Sequence, residues 1–255
     1  MPRETPENFE AVLRSTALHQ QKAAELRFAG TPPGTEPARE VFRAACTEVG
    51  SALQPLGFKY SKSAQHCVRK AGVFSHVVSF QSSHNNVSGQ HVRLWMHAVV
   101  RSKTLKQWRI GRLPENLVND YVAGGMVHRL SGVHAMVEWE LADPRSRTAT
   151  VADVVAFVES DVLPYFERFS DPEGIIEQLA TSEISAFDLR PSIEFALCFG
   201  DKTKGQAVLD RFLRDRPDLL GKIAEAERQG LPTSPYGPGN FAETVAFARR
   251  SFGLQ

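Results

Sequence analysis

The side chains of this chain best equipped for chemistry recur at every second position of two nearby stretches. Ser79 and Gln81 alternate with Val78 and Phe80 in the first, and Arg93, Trp95 and His97 alternate with Leu94 and Met96 in the second. Alternate residues of a β-strand point to the same face. A hairpin of these stretches would set Ser79 and Gln81 beside Arg93, Trp95 and His97. Arg69 would join from a preceding strand, register permitting. Tryptophan offers a stacking plane, arginine a two-pronged grip on an oxyanion, and serine and glutamine adaptable hydrogen bonds. Arg69, Ser79, Gln81, Arg93, Trp95 and His97 are therefore the candidate binding set, suited to a peptide carboxylate, a phosphate or a base. The competing arrangement has the C-terminal helices covering this face, with Trp95 in the core and Arg93 paired to a helix carboxylate.

Other constellations lead less far. Seven of the eight histidines lie between His66 and His134. The His-Glu-x-x-His, His-x-His and Cys-x-x-Cys spacings of familiar metal sites are missing, and residues 59–112 hold no carboxylate. No metal and no cofactor is expected. A nucleophile elbow, a Walker loop and a dinucleotide fingerprint are all absent, and Gly124-Gly125 alone makes no phosphate cradle. Asp120, His128 and Arg129 lack a fixed backbone between them that would make an acid–base group. The acidic residues from Asp153 to Glu177 are spaced as a solvated helix face. No residue is assigned a catalytic role.

The elements that must hold the candidate set follow from periodicity. Residues 8–28 carry a helical pattern, and Gly30-Thr31-Pro32-Pro33-Gly34 reads as a linker. Val41, Phe42, Ala45, Val49, Ala52 and Leu53 recur at three- and four-residue spacings, a helix that Pro55 and Gly57 end. The period then becomes two. Strands are predicted at 57–62, 65–71, 75–83 and 90–101, with turn residues from His84 to Gly89, and a further strand at 133–141. Residues 114–122 read as a short helix and Gly124-Gly125 as a flexible point. Helical spacing returns at Val151, Val154, Val155, Val158 and Val162. Thr150 and Asp153 resemble its N-cap pair, and Pro164 should kink it. Pro172 begins another helix, and further helices follow at 183–199, 204–214, 217–229 and 240–252, the last capped by Asn240 and Glu243. The expected fold is α+β: a four- to five-stranded antiparallel sheet packed by helices, with an all-helical C-terminal extension. The expected organisation is an N-terminal helix and linker over 1–35, an α+β domain over 36–180 and the helical extension over 181–255.

Composition narrows the function classes. A chain of 255 residues, 42% of them hydrophobic, can bury a substantial core. No apolar run approaches the roughly 20 residues that span a bilayer, and the first residues lack the apolar stretch of a signal peptide. Cys46, Cys67 and Cys198 are odd in number and widely spaced, as buried free thiols would be. The expectation is a cytoplasmic protein with no membrane partner. A net charge of +1 weighs against gripping nucleic acid. Yet the basic residues of 59–112, from Lys59 through Arg112, have no acidic neighbour in sequence. They call for an anionic partner or for balance by the acidic helices further on.

One resemblance extends this reading. The helix before Leu56-Gly57-Phe58-Lys59, the strand Cys67-Val68-Arg69-Lys70, the strand Val78-Ser79-Phe80-Gln81-Ser82-Ser83 with Asn85-Asn86, the long strand at 91–100 and the kinked helix ending Leu163-Pro164-Tyr165-Phe166 carry it. Over about 38–180 the chain resembles a family of uncharacterised bacterial proteins, a domain of unknown function. The resemblance implies architecture, not activity. By analogy, small α+β proteins of this kind serve as accessory, immunity-like or partner-binding components. The expected function is thus a non-enzymatic protein holding another protein on the polar sheet face or in the groove between sheet and tail. The alternative is a hydrolase or nucleotide-processing enzyme with Arg69, Arg93 and His97 around a phosphate on a small anionic ligand. Single-stranded nucleic acid stacked on Trp95 is a weaker third, which the neutral charge disfavours.

Overall fold

The computed structural model describes residues 36–130, 136–229 and 241–255. The helical pattern at 8–28, the linker at 30–34, strand positions 133–135 and the Asn240 cap lie outside the described residues. The first described element is helix α1 (Ala38–Ala52), followed by strands β1 (Lys59–Ser61), β2 (His66–Ala71), β3 (Phe74–Ser82) and β4 (Arg93–Ser102). Helix α2 (Lys103–Arg109) leads to strands β5 (Tyr121–Met126) and β6 (Trp139–Glu140). Helices α3 (Arg147–Phe157), α4 (Leu163–Glu167), α5 (Pro172–Leu179) and α6 (Leu189–Phe199) come next. Helices α7 (Lys202–Asp215), α8 (Leu220–Gln229) and α9 (Phe241–Phe252) complete the described chain. The fold is α+β with a helical C-terminal region. Its sheet is antiparallel in the order β1-β2-β3-β4-β5, and the two-residue β6 pairs with the start of β4.

Helix α1 forms because its apolar stripe, Val41, Phe42, Ala45, Cys46 and Val49, has a sheet to cover. The chain leaves it at Gly57, whose φ of +84° is left-handed and whose N–H bonds back to Gln54. Only glycine takes that conformation without penalty. On β4, Leu94, Met96, Ala98 and Val100 are wholly buried while Arg93, Trp95, His97 and Val99 are only partly so. The helices lie on the buried side. Phe42 of α1, Val154 of α3, Phe166 of α4, Ile176 of α5 and Phe195 of α6 join those strand residues in one core. Each such fully buried side chain contributes about 1.5–3 kcal/mol. Phe74 of β3 is a hub, with ring centroids 5.3 Å from Phe199 and 6.1 Å from both Phe169 and Phe195.

Several local expectations are corrected. The helix expected at 114–122 is only a 3-10 turn, Glu115–Leu117. Gly124-Gly125 is the middle of β5, with Gly124 paired to Val99. A Cβ on Gly124 would stand 2.1 Å from the carbonyl oxygen of Ala98, so the glycine permits the strands to meet. Lacking side chains, the pair shows no alternation, which hides the strand. Helix α2 occupies residues to which no element was assigned, capped by the Ser102 hydroxyl accepting from the Leu105 N–H at 3.3 Å. Helix α3 starts before Thr150, which is no cap: its hydroxyl donates back to the Ser146 carbonyl at 3.2 Å. The start signal is the turn closed by Asp143, whose carboxylate accepts from the Arg145 N–H at 2.9 Å. Before Pro164 the helix widens into a π turn, Val158–Val162, which accommodates the missing N–H. Helix α6 begins at Leu189 because Pro191 is tolerated only in a first turn.

A buried ion cluster ties α2, β5 and α6 together. Arg109 is fully buried and donates through Nε to Glu194 at 2.7 Å and through Nη1 to the carbonyls of Asn119 at 2.8 Å and Tyr121 at 2.7 Å. Arg190 donates to the other Glu194 oxygen at 2.8 Å. Burial alone pushes the Glu194 carboxyl up, against the two guanidiniums that favour its charge. No helix among the described residues is long and apolar enough to cross a membrane.

Candidate functional site

The register of β2, β3 and β4 decides which side chains meet on the sheet. Ser79 pairs with His97 and Gln81 with Trp95, while His66 of β2 lies on the other side of Ser79. These residues share the face opposite the helices. Gln81 is exposed, and Ser79, Arg93, Trp95 and His97 are partly exposed. Thus Ser79, Gln81, Arg93, Trp95 and His97 come together on a face that the helical tail does not cover.

Arg69 does not join them. It pairs in register with His76 and points to the helix side. There its guanidinium donates to Glu167 at 2.6 Å and to His76 Nδ1 at 3.1 Å, and lies 5.3 Å from the ring centre of Phe58. The reason is parity: Cys67 packs into the core, and Arg69, two residues on, must follow it. Glu167 sits among the acidic residues read as a solvated face, yet it holds a cation of the sheet. The arrangement of Arg69, Arg93 and His97 around one phosphate is therefore not assembled.

On the polar face the hydrogen bonds are specific. His97 Nε2 and Gln81 Oε1 are 2.8 Å apart, so the ring donates there and keeps Nδ1 free to accept. The Trp95 indole N–H donates to Glu138 at 3.3 Å, and the Arg93 guanidinium stands 3.6 Å from the same carboxylate. Arg93 thus has an acidic partner, but from the segment before β6 and not from a helix. Asn86 fixes the hairpin end by accepting from the Arg93 N–H at 2.9 Å.

The strands of the face carry basic side chains, and the carboxylates that meet them come from outside β1 to β4: Glu138 stands 3.6 Å from Arg93 and Asp120 4.0 Å from Arg101. By register Lys59, His66, Lys70, Arg93, His97 and Arg101 belong to this face. Burial, and then the neighbouring His128, hold His97 below its ordinary pKa. Burial and Arg129 do the same to His128, and burial and Arg101 to His66. Each histidine resists a proton first because burial strips water from the charged ring, and second because one neighbouring basic group repels that charge. Among the described residues no group of three His, Cys, Asp or Glu side chains comes together to hold a metal.

Sequence reasoning missed Glu138, His66 and His128 as members of this surface. Only the register carries His66 to Ser79. Glu138 sits on irregular chain and His128 in a single 3-10 turn, Val127–Arg129, too short for a period to report orientation. Two cavities lie away from this face, one of about 630 Å³ at the start of α1 and one of about 550 Å³ between α8 and α9.

No curated protein and no solved structure matches this chain. Residues 49–168 match the family model described as a domain of unknown function (DUF4304), a narrower span than the 38–180 over which the resemblance was drawn. The matched stretch runs from the end of α1 through α4 and takes in the whole sheet, so the similarity to that uncharacterised domain family lies in this part of the chain.

Proposed function

We propose that this chain is a non-enzymatic accessory protein of the cytoplasm, which holds another protein against its polar sheet face. One observation carries the reading. The helices cover a single side of the sheet and leave Trp95, flanked by Gln81, His97 and Arg93, partly exposed on the other. Interface hot spots favour tryptophan and arginine, because a large rigid surface or a fixed fork of donors is buried at small entropic cost. The basic side chains of β1 to β4 on this face, with no carboxylate on those strands, suit an acidic partner surface. The free cysteines are consistent with a reducing compartment, and burial pushes the thiols of Cys46 and Cys67 up to about 12.

The test is the double variant Trp95→Ala with Arg93→Ala. Quantitative capture by the immobilised protein should enrich an acidic partner, and the variant should lose it by at least about thirtyfold in affinity, the ~2 kcal/mol of a hot spot. Circular dichroism checks that the fold persists. Undiminished capture by a folded double variant sinks the reading.

A further inference from the structure

The cavity of about 630 Å³ at the start of α1 is lined by three cations, two amides and two serines, together with Ala38 and Phe42. Arg39 and Arg43 of α1 face Lys62, Ser63 and Gln65 of the turn between β1 and β2, with Asn86 of the next hairpin closing one side. Arg39 and Arg43 are one helical turn apart and so stand on the same side of α1. Among the described residues no ion pair involves Arg39, Arg43 or Lys62. No carboxylate among the described residues lines the cavity, and Glu36 is held by Arg147 at 2.9 Å. Other basic residues fare differently: Arg69, Arg93, Arg101 and Arg109 each meet a carboxylate from later in the chain.

The walls are held in place. The Gln65 carbonyl accepts from the Phe80 N–H at 3.0 Å, which pins the β1–β2 turn to β3. The Asn86 amide donates to Ser82 at 2.9 Å and to the Arg93 carbonyl at 3.3 Å. Arg39, Arg43 and Lys62 line one cavity, so their like charges repel one another, and a compact counter-anion turns that repulsion into affinity. Guanidinium forks match phosphoryl oxygens, and an ammonium opposite them adds a third point charge. A single carboxylate would leave most of this charge unanswered.

We infer that this groove is a binding site for a small phosphorylated anion carrying two or more negative charges, of the diphosphate type. It is separate from the sheet face and does not depend on the partner proposed there. Calorimetric titration of the full chain with inorganic pyrophosphate at low salt tests it. One saturable site is expected. Arg43→Gln or Lys62→Gln should weaken it about tenfold, the loss of one charge-assisted contact, and the double variant should abolish it. Lys103→Gln, outside the groove, and Trp95→Ala, on the sheet face, should leave it unchanged. The substituted groove residues are exposed, so the fold should survive, and circular dichroism verifies this. Absence of a saturable heat, or equal binding by the double variant and the parent, overturns the inference. Saturable binding of an oligoglutamate peptide through Arg43 and Lys62, with none of pyrophosphate, also overturns it, because the ligand is then an acidic polypeptide.

Discussion

At Nδ1 the His76 imidazole accepts from the Arg69 guanidinium, and its ring stacks on Phe166 with centroids 4.5 Å apart and an interplanar angle of 8°. A guanidinium can only donate, so the ring is neutral. Burial, followed by Arg69, pulls its pKa down from 6.5 to about 4. The unfolded chain therefore takes up a proton near 6.5 that the folded chain refuses until about 4. Stability falls as the pH drops through that interval and levels out below it, by about 3 kcal/mol from this residue. Urea unfolding between pH 7 and pH 4 should show that loss, and His76→Phe, which keeps the ring on Phe166, should remove most of it. An identical pH slope in the variant refutes the assignment.

β5 shows how an element can be built from residues that carry no pattern. It covers one edge of β4 with two consecutive glycines, and its Gly124 N–H bonds the Ala186 carbonyl at 2.7 Å, which attaches the chain before α6. Gly124→Ala would drive a Cβ into the Ala98 carbonyl at a φ of +121°. A cost of about 3 kcal/mol or more follows from the clash and the strain together. Gly221 of α8 has open space around it and an ordinary helical conformation. Gly221→Ala should therefore raise stability, by a few tenths to about 1 kcal/mol. Denaturation midpoints moving in opposite directions would bear out both assignments, and a neutral Gly124→Ala would rule out the close strand contact.

Among the described residues the larger core runs from Val41 to Leu254, and a smaller cluster joins Leu113 and Leu117 to Phe247. Phe195 and Phe199 of α6 pack on Phe74 of the sheet, and Glu194 of α6 neutralises the buried Arg109 of α2. A chain cut after residue 180 would expose that aromatic surface and leave a buried guanidinium without its carboxylate, a penalty of about 3–5 kcal/mol from the charge alone. Such a chain should lack a cooperative thermal transition by circular dichroism. A sharp melt near that of the full chain would show instead that the sheet and its first helices suffice.

Local chemistry made much of this legible in advance. Periods of two and of three to four follow directly from strand and helix geometry, so α1, β3, β4 and the α+β class could be read from residue order alone. The alternation of Ser79, Gln81, Arg93, Trp95 and His97 likewise implied a shared face. What residue order could not supply was register and facing between distant segments. Arg69 fell on the helix side because Cys67 is core, and Glu138 and His66 reached the polar face through pairings that no local period encodes. Whether the tail covered that face was also a tertiary matter, settled by which side of the sheet offered the larger apolar surface. Leu94, Met96, Ala98 and Val100 offered it, and the helices followed the greater burial.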